Sequence, residues 1–420
     1  MDRGDGGPDT EGVTDTDRDT DPATSSDPAR TPGARPAPGA TADLVVVGAG
    51  VLGLATAWQA HREGRTVHVI DRSDRPVGAS VQNFGHACFT AQADAVQDLA
   101  RVSAAGWTRA AADAGFRARR PGTVIPAVTP VEMQVIEEFR AHRGPEEVRV
   151  LDAAETARLT GAAGSADAPA LTGGAHLPRD MRVNPREAVP ALARWLARQG
   201  VRFSWSTAVH GVGDGVVDTS RGTVRGAEVV VCPGHSLRDL LPDLAVDAGV
   251  RTCTLTMALI ARPDHTPVDL AMLTGTSMTR YDGIAAMPAA ATLRGELAAR
   301  EPELRGCDAN LMATAVPPTP GHPGGVIVGD SHGYDTSPEP FIDAPTSDLL
   351  VDRAARYLGI RRPVVLQRWQ GRYADSPSRN LVLHRPDART TVAVVTSGIG
   401  MTLSFGIADL VLGGGEAPAF

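Results

Sequence analysis

Two short glycine turns are the residues in this sequence with the most specific spacing. The first is Gly48-Ala49-Gly50-Val51-Leu52-Gly53. In a turn of this spacing the glycines do three jobs: a tight reversal, close approach of backbone to a pyrophosphate, and close packing of helix on strand. Free N–H groups at the start of the following helix then face the phosphates. Asp71 closes the next apolar run, where a carboxylate accepts from an adenosine ribose hydroxyl. The second turn is Gly398-Ile399-Gly400-Met401-Thr402. It follows another apolar run and opens a helix, so its N–H groups can reach a flavin ring or its ribityl chain. The first turn alone fits NAD or FAD; the second favours FAD.

Such turns work only between a strand and a helix. Leu44-Val45-Val46-Val47 reads as a buried parallel strand, Leu54 to Glu63 as a helix ended by Gly64, and Thr66 to Ile70 as a second strand. Pro185 to Gln199 reads as a helix capped by Asn184, with Pro185 at its first position. Strands follow at Val201 to Trp205 and Glu228 to Val231, the latter running into Cys232-Pro233-Gly234. Residues 95–175 read as helical and irregular, with an amphipathic helix from Glu132 to His142. Strand-like runs lie at Thr252 to Ala261, Gly325 to Gly329 and Thr391 to Thr396, and a helix at Leu349 to Leu358. The expected fold is α/β (α+β): a Rossmann-like FAD-binding domain with an inserted mixed-sheet substrate domain. Its FAD-binding parts are 42–94, 179–250 and 369–420, and its substrate parts 95–178 and 251–368. Residues 1–41, rich in Asp, Thr, Pro and Gly, read as a disordered acidic leader.

Composition narrows the chemistry. The 420 residues carry a formal charge of −8 and no dense basic block, which argues against a nucleic-acid partner. All 41 basic side chains are arginine, so a lysine Schiff base is excluded. The four cysteines, Cys88, Cys232, Cys253 and Cys307, are scattered, which argues against a zinc or iron–sulfur site and for no bound metal. Nothing reads as a signal peptide or a membrane span, so a cytoplasmic location is expected.

The chain resembles the D-amino-acid-oxidase-like FAD oxidoreductases, among them glycine oxidase, sarcosine oxidase and D-amino acid dehydrogenase. The resemblance runs from about residue 43 to 412. The family's FAD-wrapping stretch corresponds to Arg72 through Ser80, with Arg72, Ala79 and Ser80 at the cofactor. Its Asn/Asp-Pro-Arg helix matches Asn184-Pro185-Arg186, and its adenine-side strand end matches Thr207-Ala208-Val209. Gly234 stands where the family usually has Ala-x-Gly. Four further stretches look like a subgroup associated with phosphonate catabolism: Ala79 to Gly85, Thr279-Arg280-Tyr281, Gly329-Asp330-Ser331-His332-x-Tyr334 and Trp369-Gln370-Gly371-x-Tyr373. That subgroup has Arg where this chain has Gln82, and a small apolar residue where it has Arg372.

The resemblance implies oxidation of a small amine carrying an anionic group, an aminophosphonate among the candidates, with O2 or another electron acceptor. Arg280 and Arg372 are the expected anion clamps, because a guanidinium matches carboxylate or phosphonate oxygens in a fork; the alternative for each is a surface ion pair. Tyr281, His332, Tyr334, Tyr373 and His86 are the rings expected to line the pocket. Asn83 stands where dimethylglycine-dehydrogenase relatives carry a covalent flavin link, and asparagine cannot form it. No cysteine follows Cys307 to form the sarcosine-oxidase link, so FAD is expected to be non-covalent. Open alternatives are a glycine, sarcosine or D-amino acid oxidase or dehydrogenase, an NAD-dependent dehydrogenase, and a flavin-binding module without amine oxidation.

Overall fold

Five parallel strands form the floor under the glycine turns. A computed structural model describes residues 41–418; residues 1–40 of the expected leader lie outside the described residues, and Thr41 begins the first strand. Thr41–Val47 pairs in parallel with Val67–Ile70 on one side and Gly222–Val231 on the other. Arg202–Ser204 extends the sheet beyond Val67–Ile70, and Thr390–Val395 extends it beyond Gly222–Val231. Leu44, Val45 and Val46 are fully buried, as an apolar run covered on both faces must be. The Gly222–Val231 strand is longer than its apolar end suggests. Its first half pairs with Val216–Thr219 in an antiparallel hairpin before its second half enters the parallel sheet.

Helices Val51–Arg62, Gln97–Ala114, Pro185–Arg198 and Gly400–Leu412 share one apolar core on this sheet. Asn184 caps the Pro185–Arg198 helix by accepting from the Arg186 N–H, and Pro185 takes the first position, where its missing N–H costs nothing. Gln97–Ala114 lies in a stretch that sequence assigns to the substrate side. Instead it packs on the dinucleotide side. Trp107 meets Phe405 edge-on, and its indole N–H donates to the Met401 carbonyl at 2.8 Å. Its Gly106 has no room for a Cβ, which would lie 2.4 Å from Phe405.

A nine-stranded mixed sheet forms the second half of the molecule. Arg251–Ile260 is its central beam. Val365–Asp375 pairs antiparallel along one edge, and Gly325–Gly329 and Gly333–Asp335 share the other. Two of these differ from the sequence reading. The stretch from 95 to 175 holds strands Thr123–Ala127, Arg149–Leu151 and Gly173–Leu177 in this sheet, not only helices. Residues 369–375 belong to this sheet as well, rather than to the dinucleotide side. The mixed α/β architecture itself is as expected.

Candidate active site

One cavity of about 680 Å³ joins the two halves. At one end its wall is Gly48 to Gly53. The three glycines there are not equivalent. A Cβ on Gly48 would lie 2.3 Å from the Cys232 carbonyl oxygen, and Gly48 has φ +101°. A Cβ on Gly53 would lie 1.9 Å from the Gly48 carbonyl oxygen. Those two glycines let backbone pack on backbone. Near Gly50 the only atom within 4 Å of an added Cβ is Ser80 Oγ, at 3.1 Å. Gly50 therefore keeps space open rather than filling it, as close approach of a pyrophosphate requires.

The helix N-terminus behind it is half satisfied by side chains. The Val51 N–H donates to Ser80 Oγ at 2.9 Å. The Ala49 N–H donates to Asp71 Oδ2 at 2.6 Å, and Asp71 Oδ1 accepts from the Ser73 N–H at 2.8 Å. Asp71 thus ties the turn to the second strand and retains lone pairs for a hydroxyl. Asn83 closes its own loop: its Nδ2 donates to the Ala79 carbonyl and its Oδ1 accepts from the Gly85 N–H. Arg72 is exposed and stands 3.9 Å from Asp239. Val209 and Gly234 lie on the same wall. Leu52, Ala79, Gly398, Gly400 and Met401 line the cavity as well. Thr402, also a sequence candidate, is buried in the helix behind the turn and does not line it.

The other end is built from side chains. His86, Arg280, Tyr281, His332, Arg372 and Tyr373 all line it, so the six catalytic candidates converge. Tyr334 stands just outside, bonding Arg280 and Asp308. The two arginines differ in what they already hold. Arg280 donates to Asp308 Oδ2 at 3.1 Å and to Tyr334 Oη at 2.9 Å. Burial opposes its charge, but Tyr373, Tyr334 and Asp330 around it outweigh that cost and raise its pKa. Arg372 donates to Gln370 Oε1 at 2.8 Å and makes a longer contact to the Glu339 carbonyl. Among the described residues it has no carboxylate partner. It also lines a smaller side cavity with Arg72, Arg238, Arg251 and His235.

His86 is buried with Nε2 2.6 Å from Thr123 Oγ1, and Thr123 in turn donates to Asp180 Oδ2. Because Thr123 gives its proton to Asp180, His86 must donate through Nε2, which leaves Nδ1 as an acceptor. Burial and nearby Arg182 hold His86 neutral. Tyr281 and Tyr373 are partly buried, and desolvation pushes both phenols well up. Cys232, on the wall beside Gly48, is pushed up to about 12 by burial, so it offers no thiolate.

Sequence reading passed over Asp330, although it sits inside a stretch matched to the phosphonate subgroup. Asp330 is 5% exposed, lines the cavity, and has an Oδ1 with no hydrogen-bond partner. The signal was available: it is the acid in the loop that carries His332. Asp308, which holds Arg280, was missed as well, and no local pattern marks it. No group of three or more metal-ligating side chains occurs among the described residues. None of their helices is long and apolar enough to cross a membrane.

The geometry agrees with what the chain is similar to. Glycine oxidase from Bacillus cereus superposes with a TM-score of 0.68 at 17% identity, covering 89% of this chain and 96% of that one. L-Amino acid deaminase from Proteus vulgaris, with its specific insertion deleted, gives 0.67 at 18% identity, covering 93% and 95%. Iminodiacetate oxidase from Chelativorans sp. BNC1 gives 0.66 at 18%, covering 89% and 96%. At these identities the likeness shows the fold. No curated protein matches the chain in sequence. The family described as FAD dependent oxidoreductase (DAO) matches residues 43–412, nearly all of the described chain. The chain belongs to this DAO family and is an FAD-dependent oxidoreductase.

Proposed function

We propose that this enzyme oxidises the C–N bond of a small amine that carries an anionic group, with Arg372 as the principal clamp. The observation that carries this reading is the asymmetry of the two arginines. Arg280 is already engaged by Asp308, whereas Arg372 faces the cavity with only an amide oxygen and a distant carbonyl as partners. A guanidinium without a carboxylate beside a cavity is a ready receptor for a carboxylate or phosphonate. Arg238 lines the side cavity as well, whereas Arg251 there is paired with Asp375 and Arg72 stands near Asp239.

FAD, seated along Gly48–Gly53, Asp71, Ser80 and the Gly398–Met401 turn, supplies the hydride acceptor when bound. The chain's own residues do the rest. Arg372 fixes the anion, and Tyr281 and Tyr373 form the walls beside it that orient the reacting carbon. Asn83 cannot form a covalent flavin link, and Cys232 lies beside Gly48 at the first glycine turn, away from the Gly398–Met401 turn, so FAD is held without a covalent bond. Acid precipitation leaves the yellow chromophore in the supernatant; a yellow pellet contradicts this.

The neighbours' names are those of amino acid and imino acid oxidases and a deaminase, which supports a carboxylate as the anion. The sequence stretches around Arg280, His332 and Tyr373 support a phosphonate. O2 or another oxidant takes the electrons afterwards. An anaerobic flavin-reduction screen with aminophosphonates, glycine, sarcosine and D-amino acids separates them. Bleaching by an anionic amine at least tenfold faster than by its uncharged analogue is expected; equal rates would remove the anion from the proposal.

A further inference from the structure

Asp330 sits at the corner between Gly325–Gly329 and Gly333–Asp335, two strands that share one edge of Arg251–Ile260. The backbone holds that corner firmly: the Asp330 N–H donates to the Asn310 carbonyl, and the Asn310 N–H donates to the Asp330 carbonyl. The side chain faces the cavity with Oδ1 buried and unpartnered. A buried carboxylate oxygen without a donor is costly, and one that lines a substrate cavity is a position kept for a ligand donor.

His332 stands on the other side of the carboxyl group. Its Nδ1 lies 2.9 Å from the Asp308 carbonyl, which can only accept, so Nδ1 carries the proton. Its Nε2 is then a lone pair, and it stands 3.9 Å from Asp330 Oδ2. Two acceptors facing each other leave a place for one proton between them. We propose, on the amine reading above, that Asp330 is the base that removes the proton from the substrate ammonium before the C–H bond is broken. In that step an N–H bond breaks, an O–H bond forms on Asp330, and the electron pair stays on the nitrogen. Hydride loss to the flavin needs that pair, because a protonated amine cannot support the developing positive charge on its carbon.

The surroundings suit the role. Burial pushes Asp330 up to about 7, against the opposing charge of Arg280, with Asp308 adding to the rise. Burial pushes His332 down to about 3, so it stays neutral and cannot hold Asp330 ionised as a cation would. The other titratable groups facing Asp330 are Tyr281, Tyr373 on Val365–Asp375, and Cys253 on Arg251–Ile260. All three stay protonated because burial raises them. A base near 7 is deprotonated often enough at neutral pH to accept, yet basic enough to compete for an ammonium proton.

The test is the pH profile of anaerobic flavin reduction by the holoenzyme. The substrate is the best amine from the screen that carries a carboxylate, since a phosphonate titrates in the same range. The wild type is expected to show kcat/KM rising through an inflection at about 7. Asp330→Asn is expected to fall about 100-fold at neutral pH and to recover as the free amine itself accumulates at high pH. Equal FAD content in the variant shows that it has folded. If it fails to fold, the wild-type profile still decides. A wild-type profile without an inflection near 7, or an Asp330→Asn profile parallel to the wild type, overturns the proposal. A flavin that no amine reduces at any pH overturns the amine reading itself and this inference with it.

Discussion

The two ends of the cavity are made from different material. The dinucleotide end is mostly backbone: two glycine turns, with Gly48 and Gly53 packed tight on their neighbours and Gly50 leaving space open. The substrate end is side chain, with Arg280 and Asp330 arriving from separate loops and Arg372 and Tyr373 from one strand. A backbone wall is set by local sequence and tolerates almost no change. A side-chain wall is set by the register of distant strands, and single substitutions can retune it without touching the fold.

Substitution at the backbone end should have the largest effects, and two of them should differ in kind. Gly53→Val puts side-chain atoms on the Gly48 carbonyl, where a Cβ alone lies at 1.9 Å. Loss of soluble protein is the expected outcome. Gly50→Val meets only the movable Ser80 Oγ, so the fold should persist with no FAD bound. Circular dichroism and the visible-to-ultraviolet absorbance ratio distinguish the two. A flavinylated Gly50→Val protein would show that the pyrophosphate lies elsewhere.

At the side-chain end the arginines should separate. Losing a charge-assisted hydrogen bond costs about 1.5–3 kcal/mol, or about ten- to a hundredfold in binding. Arg372→Ala should therefore raise KM by about that factor with little loss of thermal stability, and Arg372→Lys should restore only part because the fork is lost. Arg280→Ala leaves the half-buried Asp308 without its cation, so it should lower Tm more than Arg372→Ala does. Wild-type KM in Arg372→Ala would end its role as clamp.

A smaller effect tests the stability side of Asp330. Its folded pKa, about 7, lies above the 3.8 of an ordinary aspartate. The folded state then holds the proton more tightly, and stability falls as pH rises through that window. Asp330→Asn removes the cost. Its Tm relative to wild type should increase between pH 5 and pH 8.5, a range that covers the upper part of that window. A constant difference would mean that Asp330 ionises normally. Smallest of all, Arg72→Ala should leave FAD affinity nearly unchanged, because Arg72 is exposed and its Asp239 contact is loose. A tenfold loss would move Arg72 onto the cofactor.

This division also explains what the sequence made legible. Gly48 to Gly53, Asp71 and the Asn184-Pro185 cap are local patterns, and each acts where its spacing places it. Arg280, His332 and Tyr373 came from resemblance, and nothing local shows that they meet. Val365–Asp375 carries the cavity residues Arg372 and Tyr373, yet it gave no strand signal, because polar Gln367, Gln370 and Arg372 interrupt the apolar residues that mark a strand in sequence. Thr123–Ala127 was hidden by Pro126 inside an otherwise apolar run. Asp308 and Asp330 are a single exposed-looking acid each until the Arg251–Ile260 register brings them beside Arg280.

The strand order of the dinucleotide sheet bears on how the chain is made. One edge of Gly222–Val231 is paired at its start by Val216–Thr219, but its Val229–Val231 end stays unpaired until Thr390–Val395 has been synthesised. Trp107 waits equally long for the Met401 carbonyl. During that interval a nascent chain exposes an apolar strand edge and an uncovered indole, the kind of surface that chaperones bind and that aggregates when they do not. The cavity wall is complete only after the Gly400–Leu412 helix docks, so a ribosome-stalled chain ending before residue 390 should bind no FAD.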